Sequence, residues 1–133
     1  MAGDVAFVKG LLKFQLEFVD VDPMDLGVQA RFEVEYSGRS QNLKWTAAHL
    51  WFEYEALVRF ETELRDGYHA RLLDMSRYEV LHFEQQSSQE YLTINPPSQS
   101  QSQDGDCIAI RLKIDSGSLR ELYETFNQFG KWW

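Results

Sequence analysis

A single cysteine, Cys107, occurs in 133 residues, so the chain can form no internal disulfide and fits a reducing compartment. Basic residues are scarce: 13 Lys and Arg stand against 21 Asp and Glu, for a net charge of −8. A face that grips phosphates needs the opposite sign, which argues against nucleic acid and anionic membrane surfaces as partners. No apolar run approaches the ~20 residues that cross a bilayer, and residues 1–10 have no basic stretch leading into an apolar core. The expectation is a cytoplasmic protein without membrane contact. Internal repeats are not visible. The sequence also lacks H-E-x-x-H, paired cysteines, G-x-S-x-G, a P-loop and G-x-G-x-x-G. These absences remove the common signatures of metal, acyl-transfer and nucleotide chemistry.

What is present is a core. Hydrophobic residues make up 44% and aromatics 14%, enough for one domain spanning 1–133. Leu12, Phe14, Leu16 and Phe18 alternate with Lys13, Gln15 and Glu17, and Val28, Ala30, Phe32, Val34 and Tyr36 alternate in the same way. A period of two marks half-buried strands, and the Asp22-Pro23-Met24-Asp25-Leu26-Gly27 stretch between them reads as a turn. From Thr46 to Asp66 neither proline nor glycine interrupts the chain. Leu50, Trp51, Tyr54, Leu57, Val58 and Leu64 there follow helical spacing. The spacing predicts a helix over 46–66, with Thr46 as N-cap, Gly67 as left-handed stop, and Glu55–Arg59 and Glu61–Arg65 as i,i+4 pairs.

Three short strands are expected next, at Ala70–Met75, Tyr78–Gln85 and Glu90–Asn95, the middle one buried on both faces. Residues 96–106, rich in Ser and Gln, read as a flexible hairpin loop. A last strand follows, with Ile108, Ile110, Leu112 and Ile114 inward. Ser118 and Glu121 form an S-x-x-E capping box that opens a helix over 118–130. The order is ββαββββα: an α+β fold, a mostly antiparallel sheet of five to six strands with two helices packed on one face.

Candidate chemistry is thin. His49, His69 and His82 fall on three separate elements, and Cys107 has nothing beside it to lower its pKa. Asp20, Asp22 and Asp25 crowd one turn but lack a calcium-loop pattern. Glu84 shares the face of His82, while Glu79 is expected on the opposite one, so no acid/base set converges. No catalytic, metal or cofactor site is therefore assigned, and a non-enzymatic protein-binding domain is the expected function. The predicted first helix is acidic, carrying Glu53, Glu55, Glu61, Glu63 and Asp66 against Arg59 and Arg65. Glu53, Glu55, Glu61 and Glu63, with Trp132 and Trp133 as apolar anchors, are the candidate partner-binding residues.

An N-terminal hairpin, a helix with Leu50, Glu53, Leu57 and Leu64 closed by Gly67, short strands and a final helix make an arrangement similar to small bacterial immunity proteins of the WapI type. That resemblance implies a protein that protects cells from a contact-dependent toxin by binding a basic toxin domain. Two other readings stay open. One is a small hydrolase or metal-dependent enzyme using His82, Glu84 and the turn aspartates. The other is a homodimeric scaffold paired through an exposed edge strand, either 12–18 or 90–95.

Overall fold

A computed structural model describes residues 3–96 and 108–131. Cys107, Trp132, Trp133 and nearly all of the predicted Ser/Gln loop lie outside the described residues. The fold is α+β, with two antiparallel sheets of four strands where the sequence predicts one larger sheet. In the first sheet, β1 (Gly3–Lys9), β2 (Leu12–Asp22), β3 (Gly27–Ser37) and β4 (Asn42–Glu53) pair in chain order. Helix α1 (Tyr54–Asp66) follows. The second sheet pairs β5 (His69–Leu73), β6 (Glu79–Gln86), β7 (Gln89–Ile94) and β8 (Ile110–Ile114), and α2 (Ser118–Gln128) ends the fold. Four antiparallel strands and a helix thus occur twice, a repetition invisible in the residues.

The largest correction lies at 46–53. These residues are the second half of β4, and α1 begins only at Tyr54. Trp45 and Ala47 pack on the core, then Leu50 and Phe52 do, because two residues of β4 bulge opposite Arg31 of β3. The core spacing along β4 is consequently two, three, two. An inserted residue in a strand imitates the i, i+3 step of a helix. His49 takes up the bulge with φ 62. Glu53, not Thr46, is the N-cap, while Gly67 closes the helix as expected, with φ 80 and its N–H on Glu63 O. Neither predicted i,i+4 pair is among the ion pairs of the described residues: Glu61 meets Lys131, Arg65 turns to Asp66, and Glu55 and Arg59 are not joined.

A second bulge corrects β6. The β5 register slips between Leu72 and Leu73, leaving Val80 opposite no β5 residue, and Val80 and Leu81 are both fully buried. Alternation restarts there, so His82 faces outward rather than into a second buried layer. Glu79 joins the side of His82 instead of opposing it. Strand β8 starts at Ile110, and Ile108 is 72% exposed, not inward. The 12–18 strand is no edge, since β1 pairs along it, and β7 is interior between β6 and β8. The edges among the described residues are β1, β4, β5 and β8. The edge of β4 carries Lys44 and the His49 bulge, both of which discourage pairing with another strand.

Phenylalanines join the halves. Phe14 of β2 meets Phe83 of β6 at 5.9 Å between ring centres, and Phe60 of α1 meets Phe83 at 6.2 Å and Phe126 of α2 at 5.9 Å. Phe18 closes the circuit on Phe126 at 6.3 Å. All five rings are fully buried. Each helix packs on a strand of the other sheet, α1 on β5 and α2 on β1. The first sheet's fold therefore positions the start of α1, where the candidate acidic residues begin.

Candidate functional site

The structure separates the four glutamates. Glu53 ends β4 and Glu55 lies in the first turn of α1; both are exposed. Glu61 is half-buried and accepts a hydrogen bond from Lys131 Nζ at 2.8 Å, the same ammonium that donates to Phe126 O at 2.8 Å. Glu63 is also half-buried and accepts the Arg71 N–H at 3.0 Å. Two residues along a helix rotate the side chain by about 200°. Glu61 and Glu63 accordingly flank the buried stripe of Leu57, Phe60 and Leu64 on opposite sides. Glu61 serves the α1–α2 seam and Glu63 the α1–β5 seam. Only Glu53 and Glu55 point together toward solvent.

Their neighbours come from the β2–β3 turn. Asp22 Oδ1 accepts the N–H groups of Met24 at 3.1 Å and Asp25 at 3.4 Å, which folds the turn on itself. Gly27 pairs with Asp22 on one side and with Glu53 on the other. A β-carbon at Gly27 would stand 2.0 Å from Met75 Cε, so the end of the Met75 side chain packs over the glycine. The Tyr54 N–H then donates to Leu26 O at 3.0 Å, tying the turn to the first residue of α1. Asp20, Asp22, Asp25, Glu53 and Glu55 thereby share one end of the first sheet.

Among the described residues none of these five carboxylates has a Lys, Arg or His nitrogen within 4.0 Å. Elsewhere Glu17 pairs with Arg31, Glu33 and Glu35 share Lys44, Glu84 holds Arg111 and Glu121 holds Lys9. The hydrogen bond from Lys44 to Glu33, with that carboxylate's charge and then Glu35, raises the Lys44 pKa above its ordinary value. At the N-cap, Glu53 makes no side-chain capping bond. Apolar side chains of the turn stand among the acids: Met24 is 91% exposed and Leu26 61%. Turn chemistry accounts for the aspartates but not for Met24 and Leu26. The legible signal was two large apolar residues in a turn too short to bury them.

The other candidates take different places. His49 of the first sheet bonds Gln29 at 3.1 Å, whereas His69 and His82 meet on the second sheet. Glu84 shares the His82 face, but the turn aspartates belong to the other sheet. Among the described residues no three His, Cys, Asp or Glu side chains converge as a metal-holding group. Trp132 and Trp133 lie outside the described residues. No helix among the described residues is long and apolar enough to cross a membrane. The chain matches no family model, no curated protein and no solved structure.

Proposed function

We propose that this protein is a non-enzymatic binding domain that docks a basic protein through the acidic end formed by the β2–β3 turn and the start of α1. The observation behind this reading is that Met24 and Leu26 stand exposed beside five carboxylates that, among the described residues, have no Lys, Arg or His nitrogen within 4.0 Å. Leaving like charges together destabilises a surface slightly, and leaving Met24 in water forgoes burial. A partner with a cationic rim around an apolar pocket offsets both. Charge attraction brings that partner in quickly and excludes acidic surfaces, while the apolar side chains hold it. The basic cleft of a nucleic-acid-directed toxin has this character, which agrees with the resemblance to WapI-type immunity proteins.

The test is co-expression with the C-terminal domain of a polymorphic toxin encoded immediately upstream. Cells survive with the native protein and die with the Asp22→Lys, Asp25→Lys, Glu55→Lys triple variant, provided circular dichroism shows that variant folded. Survival that persists in the triple variant places the binding face elsewhere. Equal killing with and without the native protein, and no complex recovered at low salt, overturns the toxin reading.

A further inference from the structure

The outer face of the second sheet carries a pair of histidines that belongs to neither the core nor the acidic end. Across β5 and β6, His69 stands opposite Glu84 and Arg71 opposite His82, so the two imidazoles are diagonal neighbours. Their ring centres are 6.2 Å apart and the planes 87° to one another. The rings border an open hollow lined also by Tyr68, Arg71 and Glu84. Metal–nitrogen bonds of about 2.0–2.1 Å put the centres of two imidazoles sharing one ion roughly 5–6.5 Å apart, depending on the angle at the metal. The observed 6.2 Å lies at the wide end of that reach, about 1 Å beyond the separation of about 5.2 Å at a tetrahedral angle. His69 is exposed and free to adjust, and Glu79 Oε1 lies 3.9 Å from His82 Nδ1.

The charges nearby balance. Arg71 lies 4.0 Å from Glu79, and Arg111 is held 3.0 Å from Glu84 while stacking over Tyr91. Glu84 also accepts from Gln86 at 3.3 Å. Both carboxylates thus offset the guanidinium groups that would otherwise repel a cation. We infer that His69 and His82 form a two-histidine chelate for a borderline transition ion such as Cu²⁺, Ni²⁺ or Zn²⁺, with positions left open for water or for a ligand from a partner. Imidazole nitrogens select these ions over Mg²⁺ and Ca²⁺. Binding would clip β5, the terminal strand of its sheet, to β6.

The test titrates the untagged full chain with Cu²⁺ and Zn²⁺, followed by ¹H–¹⁵N NMR and calorimetry. Cu²⁺ broadening centred on His69 and His82 is expected, with affinity falling roughly tenfold or more in His69→Ala and in His82→Ala and holding in His49→Ala. Glu84→His places a third imidazole opposite His69 and is expected to tighten Zn²⁺ binding by at least about tenfold. Broadening centred on the acidic turn, unchanged affinity in either alanine variant, or no saturable binding overturns the chelate. None of these outcomes bears on the basic-partner reading, which uses a different face.

Discussion

Glu90 of β7 accepts the N–H of Leu119 at 2.8 Å, from a position 29 residues earlier in the chain. Its other oxygen takes the N–H of Gly117, and the side chain is only 5% exposed. The N-terminus of α2 is therefore capped by a buried carboxylate from a neighbouring strand, where the positive end of the helix also favours it. The local S-x-x-E box does not form: Ser118 donates to Asp115 O at 2.6 Å, and Glu121 turns to Lys9 at 3.2 Å. A helix start needs acceptors for its free N–H groups, and the β7–β8 register, with Glu90 opposite Ile114, delivers one across space.

Removing that acceptor leaves the buried N–H of Leu119 and the half-buried N–H of Gly117 unpaired. Glu90→Ala is expected to lower stability by about 1–3 kcal/mol, against less than about 1 kcal/mol for Glu121→Ala, whose pair with Lys9 is largely solvated. Urea denaturation of the two variants gives the comparison, and equal losses contradict the capping role.

Gly10 and Gly67 both have positive φ, 58 and 80, but only one is crowded. A β-carbon at Gly10 would stand 2.2 Å from Asp115 Oδ2, whereas at Gly67 nothing lies within 4 Å. Gly67→Ala is expected to cost about 1 kcal/mol, from backbone strain alone. Gly10→Ala costs more, because Asp115 must also move. Thermal unfolding of the pair separates strain from crowding.

Neutralising the acidic end leaves the fold intact. Asp25→Asn with Glu55→Gln is expected to change stability by no more than about 0.5 kcal/mol, since no ion pair is lost and the fall in like-charge repulsion is set against the loss of Glu55's charge at the helix N-terminus. A loss well beyond that in thermal melts would mean these carboxylates are structural after all.

Lys44 shows the opposite arrangement. Its ammonium lies 3.4 Å from Glu33 and 3.5 Å from Glu35, and its pKa is raised above 10.5. A raised folded-state value means that its contribution to stability is present below 10.5 and disappears as the pH climbs through the folded value. NMR titration of Lys44 Cε is expected to show a midpoint above 10.5 that drops in Glu33→Gln. An unmoved midpoint refutes the assignment of Glu33 as the main cause.

How far the residues announced this structure depends on the element. Leu12–Phe18 and Val28–Tyr36 were legible as a hairpin because strict alternation has one physical reading. Leu57 and Leu64 with Gly67, and the stripe Leu119, Leu122 and Phe126, were legible for the same reason at the helical period, whereas Phe60 was not singled out and Val58, expected in the stripe, is exposed. The stretch 46–53 misled because a bulge shifts parity by one and copies a helical step. Val80 did the same on a smaller scale and hid the meeting of Glu79 with His82. Glu53 and Glu55 were legible as exposed acids. Glu61 and Glu63 were not separable from them, since their partners Lys131 and Arg71 come from other elements.

By itself the sequence determined the α+β class, the apolar stripes and the excess of acid, because each depends on residue type and on neighbours a few positions away. Tertiary structure alone decided that there are two sheets, that Glu90 caps α2, and that the turn aspartates join Glu53 and Glu55 around Met24 and Leu26. Those outcomes rest on which strand lies beside which, and a bulge of one residue changes which side chains meet. Periodicity along one strand records burial, but the partner's register sets the contacts.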